Sequence, residues 1–175
     1  MHHQLSLLMS NKLSFGRHEG KTLEWLFFNK PSYAQYIHDN RIHRQEHAFD
    51  DNGCCHFAEL YRRATNLGGV CCHCKERPVT RMGLTTQFQS GQIGAVGFYC
   101  DECGYLGGSR TGYYAPSFFI EAYTISAGDQ KMILAEIRRH YTGDGNLTQC
   151  RMEEFFQNDA NFSDCTPGFF STMAA

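Results

Sequence analysis

The chain of 175 residues holds only four prolines and one tryptophan, and its net charge is −2. So few prolines give no Pro-rich linker. No apolar run approaches the roughly 18 residues of a membrane helix, so no membrane association is expected. Met1 to Ser10 has no basic start and only a brief apolar run, and no signal peptide is expected either. Sixteen Lys/Arg against 18 Asp/Glu disfavour a strongly basic protein that coats nucleic acid without specificity. The balance is uneven along the chain: residues 1–66 carry eight Lys/Arg against seven Asp/Glu, residues 67–125 four against four, and residues 126–175 four against seven. Any basic surface must therefore be a local patch assembled by folding.

Two catalytic patterns are missing as well. A two-metal nuclease needs carboxylates converging on Mg²⁺, normally begun by Asp-x-Glu on a strand, and no such strand is legible. A His-Asn-His nuclease held between cysteine turns needs histidines inside the bracket, yet no histidine lies between Cys74 and His140. Nine Cys and nine His allow many Cys–His pairings, but no local signature singles out a hydrolase. Catalysis and a small-molecule substrate are not expected.

What is present is core material and sulfur. With 42% hydrophobic residues, 14 Phe and nine Tyr, the chain can build one domain or two small ones. Nine cysteines in a chain of this length, without a secretory signal, point to a reducing, cytoplasmic setting rather than a disulfide scaffold. Two pairs stand out, Cys71-Cys72-His73-Cys74 and Cys100-Asp101-Glu102-Cys103, with 25 residues between them. A CxxC pair offers two thiolates from one turn, and two such turns close a tetrahedral zinc site. Cys71, Cys74, Cys100 and Cys103 are the expected ligands, with Cys72 or His73 open as substitutes in the first pair. An all-thiolate set leaves no position for water, so one structural Zn²⁺ in a zinc ribbon is expected. Gly104, directly after Cys103, suits a turn that needs positive φ. Cys54, Cys55 and His56, with Cys150 and Cys165, form a weaker second candidate and read better as small buried hydrophobes.

In chain order, Leu13 to Leu23 reads as a small hairpin bracketed by Gly16 and Gly20, presenting Arg17, His18 and Lys21. Leu23, Trp25, Leu26 and Phe27 begin a short apolar helix ending near Asn29. Pro31 starts another, with Tyr33, Tyr36 and Ile37 on one face. A polar, histidine-rich loop follows, then a helix from about Cys55 to Asn66. Val79 to Leu84, Thr86 to Ile93 and Ala95 to Cys100 read as three strands. The aromatic stretch from Arg110 to Thr124 is either another strand or a stacking surface. Ser126 with Asp129 opens a helix to about Tyr141, and a last helix spans about Thr148 to Gln157.

The run Phe15-Gly16-Arg17-His18-Glu19-Gly20-Lys21-Thr22-Leu23, followed by Pro31-Ser32-Tyr33 and Tyr36-Ile37, resembles the small module at the C-terminus of exodeoxyribonuclease X-like proteins. A bacterial family of quorum-sensing-regulated virulence factors shares that module. Their pattern is F-G-K/R-Y/H-x-G-K-x-L and then an aromatic-rich D/N-P-x-Y-x-x-W-L helix. The match covers about residues 13–40 and differs in having His18 where an aromatic is frequent and Tyr36 where Trp is usual. The resemblance implies an accessory, nucleic-acid-associated module of bacterial or phage origin, without the nuclease.

These observations predict an α+β protein of three parts: a hairpin-and-helix module over 1–67, a zinc ribbon with an antiparallel sheet over 68–125, and C-terminal helices over 126–175 packed back on it. The expected function is non-catalytic, zinc-stabilised nucleic-acid binding, DNA or RNA, with Arg17, His18, Lys21, Lys75, Arg77 and Arg81 as the contacting residues. The alternative is a protein-interaction adaptor, a subunit of a defence or counter-defence assembly, docking through Tyr113 to Tyr123 and the acidic C-terminal third.

Overall fold

The computed structural model describes residues 12–45, 49, 51–86, 93–104, 111–119, 127–143 and 145–163. The fold is α+β, helices with one three-stranded antiparallel sheet. Among the described residues no helix is long and apolar enough to cross a membrane.

The N-terminal glycine-bracketed stretch closes on itself. Leu13 N donates to Lys21 O and Gly20 N to Leu13 O, both at 2.8 Å, and Lys12 bridges Thr22. Between them Gly16–His18 makes a 3-10 turn. Gly16 and Gly20 sit at φ 74° and 78°, where a side chain would be strained. The expected hairpin is thus a pinned loop with a single bridge, and its return limb runs straight into a helix.

That helix, α1 (Leu23–Asn29), is capped by Thr22, whose hydroxyl accepts from Trp25 N at 3.2 Å and donates to Gln149 Oε1 at 2.8 Å. Its Leu23, Leu26, Phe27 and Phe28 are wholly buried. A short helix apolar around most of its circumference has to be surrounded. Phe27 meets Phe57 and Phe156 at ring distances of 5.7 and 5.6 Å, and Phe28 meets Phe118 and Phe155 at 5.1 Å each. Those partners come from α3 (Asp51–Thr65), from the stretch after the last strand, and from the C-terminal helix Gln149–Gln157. One buried core therefore draws on all three predicted parts of the chain.

Helix α2 (Pro31–Asp39) buries Pro31, Ala34 and Ile37. Tyr36, expected on that face, points out instead and is 52% exposed. Pro31, Ala34 and Ile37 recur every three residues and form the buried stripe, and Tyr36, one residue before Ile37, lies about 100° round the helix from it.

The sheet has β1 (Arg81–Thr86) in the middle, β2 (Ile93–Tyr99) on one side and β3 (Thr111–Tyr114) on the other. Met82 pairs with Phe98 and Tyr114, and Leu84 with Val96 and Gly112. Of the strand expected from Thr86 to Ile93, residues 87–92 lie outside the described residues, while Thr86 and Ile93 pair with each other as the end of β1 and the start of β2. The third strand comes from the aromatic stretch. Met82, Leu84, Val96 and Phe98 are buried, and β2 packs on α5 (Ala127–Thr142), where Phe98 stacks on His140 at 4.6 Å.

The expected cap at Ser126 lies outside the described residues. Asp129, its predicted companion, accepts from Ile93 N at 3.1 Å and ties the first turn of α5 to β2. Helix α6 (Gln149–Gln157) is preceded by its cap Thr148 and packs on α1, the short helix Asp101–Gly104 being α4.

Candidate metal centre and cation-lined cleft

The first cysteine turn follows α3. Val70 bridges Pro78 across it, Cys71 N donates to Arg77 O at 2.8 Å, and Lys75 N returns to Cys71 O at 3.1 Å. Cys72 N donates to Phe98 O at 2.8 Å, which fixes the turn to β2. The second turn begins where β2 ends, at Cys100, and continues as α4, closed by Gly104 N donating to Cys100 O at 2.9 Å.

Pairing of β1 with β2 carries Cys100 back to the first turn, and the sulfurs of Cys71, Cys74, Cys100 and Cys103 all lie within 4.8 Å of one another. Cys74 and Cys100 are 4.0 Å apart. A tetrahedral ion with metal–sulfur bonds of ~2.3 Å sets its sulfurs ~3.8 Å apart. The four cysteines are positioned to bind a metal ion, and this is the one such group among the described residues. Cys72 and His73 are not part of the cluster.

Gly104 does not have the positive φ expected of it. The second turn is helical, so its last residue stays right-handed; the left-handed residue is Lys75, at φ 62°, following the first pair.

Protonation in the cluster is uneven. Burial pushes the Cys71 thiol up, but donation from the amides of Cys100, Cys74 and His73 more than offsets this and holds it at about 6. The amides of Glu76 and Arg77 lower Cys74. Cys103 is pushed up to about 12, first by its hydrogen bond to Cys100 and then by burial. Backbone amides thus favour the thiolate at Cys71 and Cys74, while Cys103 is held as a thiol, a bias that a cation among the sulfurs would oppose.

Two ion pairs reach the second turn, one from β1 and one from the first turn. Arg81 Nε donates to Asp101 at 2.6 Å, and Arg77 pairs with Glu102. Arg81 also lies over the Tyr113 ring, 5.9 Å from its centre. Four thiolates around a divalent ion would carry excess negative charge, and since Glu102 and Asp101 already pair with Arg77 and Arg81, Lys75 is the one of these three cations that makes no ion pair among the described residues. The Cys54, Cys55 and His56 group does not assemble with Cys150 among the described residues. His56 Nε2 is 2.7 Å from the buried Glu24, and Cys150 donates to Glu154 at 3.1 Å; Cys165 lies outside the described residues.

The remaining predicted cations are on the opposite module. Arg17 and His18 line a cleft of about 770 Å³ together with Lys30, Pro31, Tyr33 and Tyr36, and with Gln130, Lys131 and Leu134 of α5. Gln130 Nε2 donates to Ser32 Oγ at 2.8 Å and joins the two walls. No Asp or Glu is among the described residues lining it, and Arg17, Lys30 and Lys131 make no ion pair among the described residues. Lys21 turns away and sits 5.3 Å from the centre of the Trp25 ring. The local field acts on His18: burial lowers its pKa, and Lys30, Arg17 and Lys21 lower it further.

No family model matches the chain, and no curated protein or solved structure matches it either.

Lys30 and Lys131 were not singled out by the sequence. Lys30 closes α1 and opens α2, and Lys131 lies on the outer side of α5, positions where lysine ordinarily serves solubility. Their one sequence signal is Lys30-Pro31, which marks a helix-to-helix corner.

Proposed function

We propose that this protein is a non-catalytic, zinc-stabilised nucleic-acid-binding accessory protein of the cytoplasm. The cation-lined cleft carries the proposal. Arg17, Lys30 and Lys131 converge on it with His18, no acidic residue among the described ones lines it, and the tyrosine pair Tyr33 and Tyr36 forms part of its wall. Phosphate is the anion such a set of separated cations suits, since each supplies a point contact along a backbone. The resemblance of residues 13–40 to the exodeoxyribonuclease X-like module supports the same conclusion, because Arg17, His18, Tyr33 and Tyr36 all fall within it.

Zinc is the ion that a closed set of four thiolates favours, and it would stiffen the small three-stranded sheet. Arg77 and Arg81 then hold the second cysteine turn through Glu102 and Asp101, and Arg17 and His18 serve the nucleic acid. The adaptor alternative loses part of its docking surface, because Phe118 is buried in the core.

Gel-shift titration at two salt concentrations tests the proposal. Binding at low salt that weakens at high salt, and that falls in an Arg17→Ala/Lys30→Ala/Lys131→Ala variant, is the expected result. Absence of any shift with DNA or RNA at low salt overturns it.

A further inference from the structure

Charge alone does not say which form of nucleic acid the cleft takes; its shape and its aromatic wall do. Duplex DNA is read by elements that protrude into a groove, a helix or a ribbon. Here the cations line a concavity between a 3-10 turn, the α1–α2 corner and α5, and its volume of about 770 Å³ is that of a pocket for a small molecule or a few chain units. Tyr36 is 52% exposed, a large fraction for an aromatic ring in a chain that buries so many others. One side of it is supported by Tyr33, the ring centres 6.0 Å apart and the planes inclined by only 19°. Tyr33 is itself braced edge-on by His18 at 5.0 Å. The result is a fixed aromatic surface at the edge of a cationic cleft.

We propose that the cleft binds single-stranded nucleic acid, with successive phosphates on Arg17, Lys30 and Lys131 and an unpaired base stacked on the open side of Tyr36. This rests on the nucleic-acid-binding proposal above and specifies its ligand. A single strand offers what a duplex hides, the flat face of a base, and base–aromatic stacking is insensitive to sequence. A phosphopeptide is a poorer fit: it concentrates charge on one phosphate, whereas these cations come from three separate elements around a wide opening.

Fluorescence anisotropy with a labelled oligothymidylate, a DNA duplex of the same length and a phosphotyrosine peptide decides the matter, using the full chain with its metal. The oligothymidylate is expected to bind more tightly than the other two. Tyr36→Ala should weaken it roughly ten- to hundred-fold, the effect of losing one base stack, and Tyr36→Phe should bind as the wild type does. Because Tyr36 is exposed, both variants should keep the wild-type melting temperature, which is measured alongside. If the duplex binds as tightly as the single strand, or Tyr36→Ala binds unchanged, the single-strand inference is overturned while nucleic-acid binding stands. If the peptide binds best, or neither nucleic acid binds, the inference and the proposal beneath it both fail.

Discussion

Arg81 in β1 holds Asp101, a residue inside the second cysteine turn, by a hydrogen bond of 2.6 Å. The sheet and the cysteine cluster are thereby tied together, and two contributions to that tie can be separated. The ion pair is half in solvent, so it contributes ~0–1 kcal/mol. The four sulfurs contribute far more when they grip an ion, because the site does not exist in the unfolded chain. Asp101→Asn is therefore expected to keep its metal and lose at most a few degrees of melting temperature. Cys103→Ser should lose the metal and melt more than about 10 °C lower, at ~2–4 °C per kcal/mol for a chain of this size. Metal content by mass spectrometry and a thermal melt on each variant check this; a Cys103→Ser protein with wild-type melting temperature contradicts it.

The close approach of the two chain halves at Gly68 gives a second expectation. Gly68 N donates to Asn161 O at 2.8 Å, and neighbouring Leu67 bridges Phe162. A Cβ on Gly68 would lie 2.7 Å from Ser163 N and 2.8 Å from Phe162 C, both backbone atoms that cannot rotate aside. Gly68→Ala should destabilise the fold by ~1–3 kcal/mol, the range for overpacking a tight contact. Urea denaturation measures it, and a midpoint equal to the wild type's refutes the contact.

How much of this could be seen beforehand depended on distance along the chain. The cysteine turns were legible because each CxxC is complete within four residues, and the choice of Cys71 and Cys74 over Cys72 and His73 needed only the direction in which the turn points. Helices α1, α5 and α6 were legible from apolar periodicity. Tyr36 was misplaced because Tyr33, Tyr36 and Ile37 repeat at helical spacing, and periodicity cannot tell a buried stripe from an aromatic one beside it. The aromatic stretch after residue 110 was open between strand and stacking surface, and it is divided: Thr111–Tyr114 joins β1, and Phe118 enters the core. Of the cleft, Arg17 and His18 were legible as candidate contacts and Lys30 and Lys131 were not. Its cations come from residues 17, 30 and 131, and nothing local to Lys131 distinguishes it from any solvated lysine.

Acid sensitivity follows from Glu59. Hydrogen bonds from Arg62, opposed by burial and supported by Arg63, lower its pKa from the usual 4.5 to about 2. A carboxylate depressed on folding adds stability above the unfolded value, and that stability is lost as pH falls from about 4.5 towards 2. With 43% of the side chain exposed, solvent screening reduces the contribution to about 1 kcal/mol. Glu59→Gln should thus be less stable than the wild type by about 1 kcal/mol at neutral pH, and the two should converge near pH 2. Denaturation of both proteins at several pH values tests the sign as well as the size. A constant difference down to the lowest pH counts against it.

The last expectation joins the cleft's field to its ligand. His18 is held below the ordinary histidine pKa by burial and by three cations, Lys30, Arg17 and Lys21. Bringing a polyanion onto Arg17 and Lys30 cancels part of that repulsion, so the imidazole becomes easier to protonate in the complex than in the free protein. By linkage, binding then takes up protons and tightens as pH falls through the His18 range. Lys21 stays over Trp25 and away from the cleft, so its contribution persists in both states. The His18 ring protons report the change in an NMR titration carried out with and without oligonucleotide. An upward shift in the complex is expected, together with affinity that falls as the buffer is made more alkaline. His18→Gln should abolish that pH dependence while leaving most of the affinity, since the lysine and arginine charges remain. An unchanged or lowered His18 pKa on binding would mean that the phosphates lie elsewhere than on this cleft.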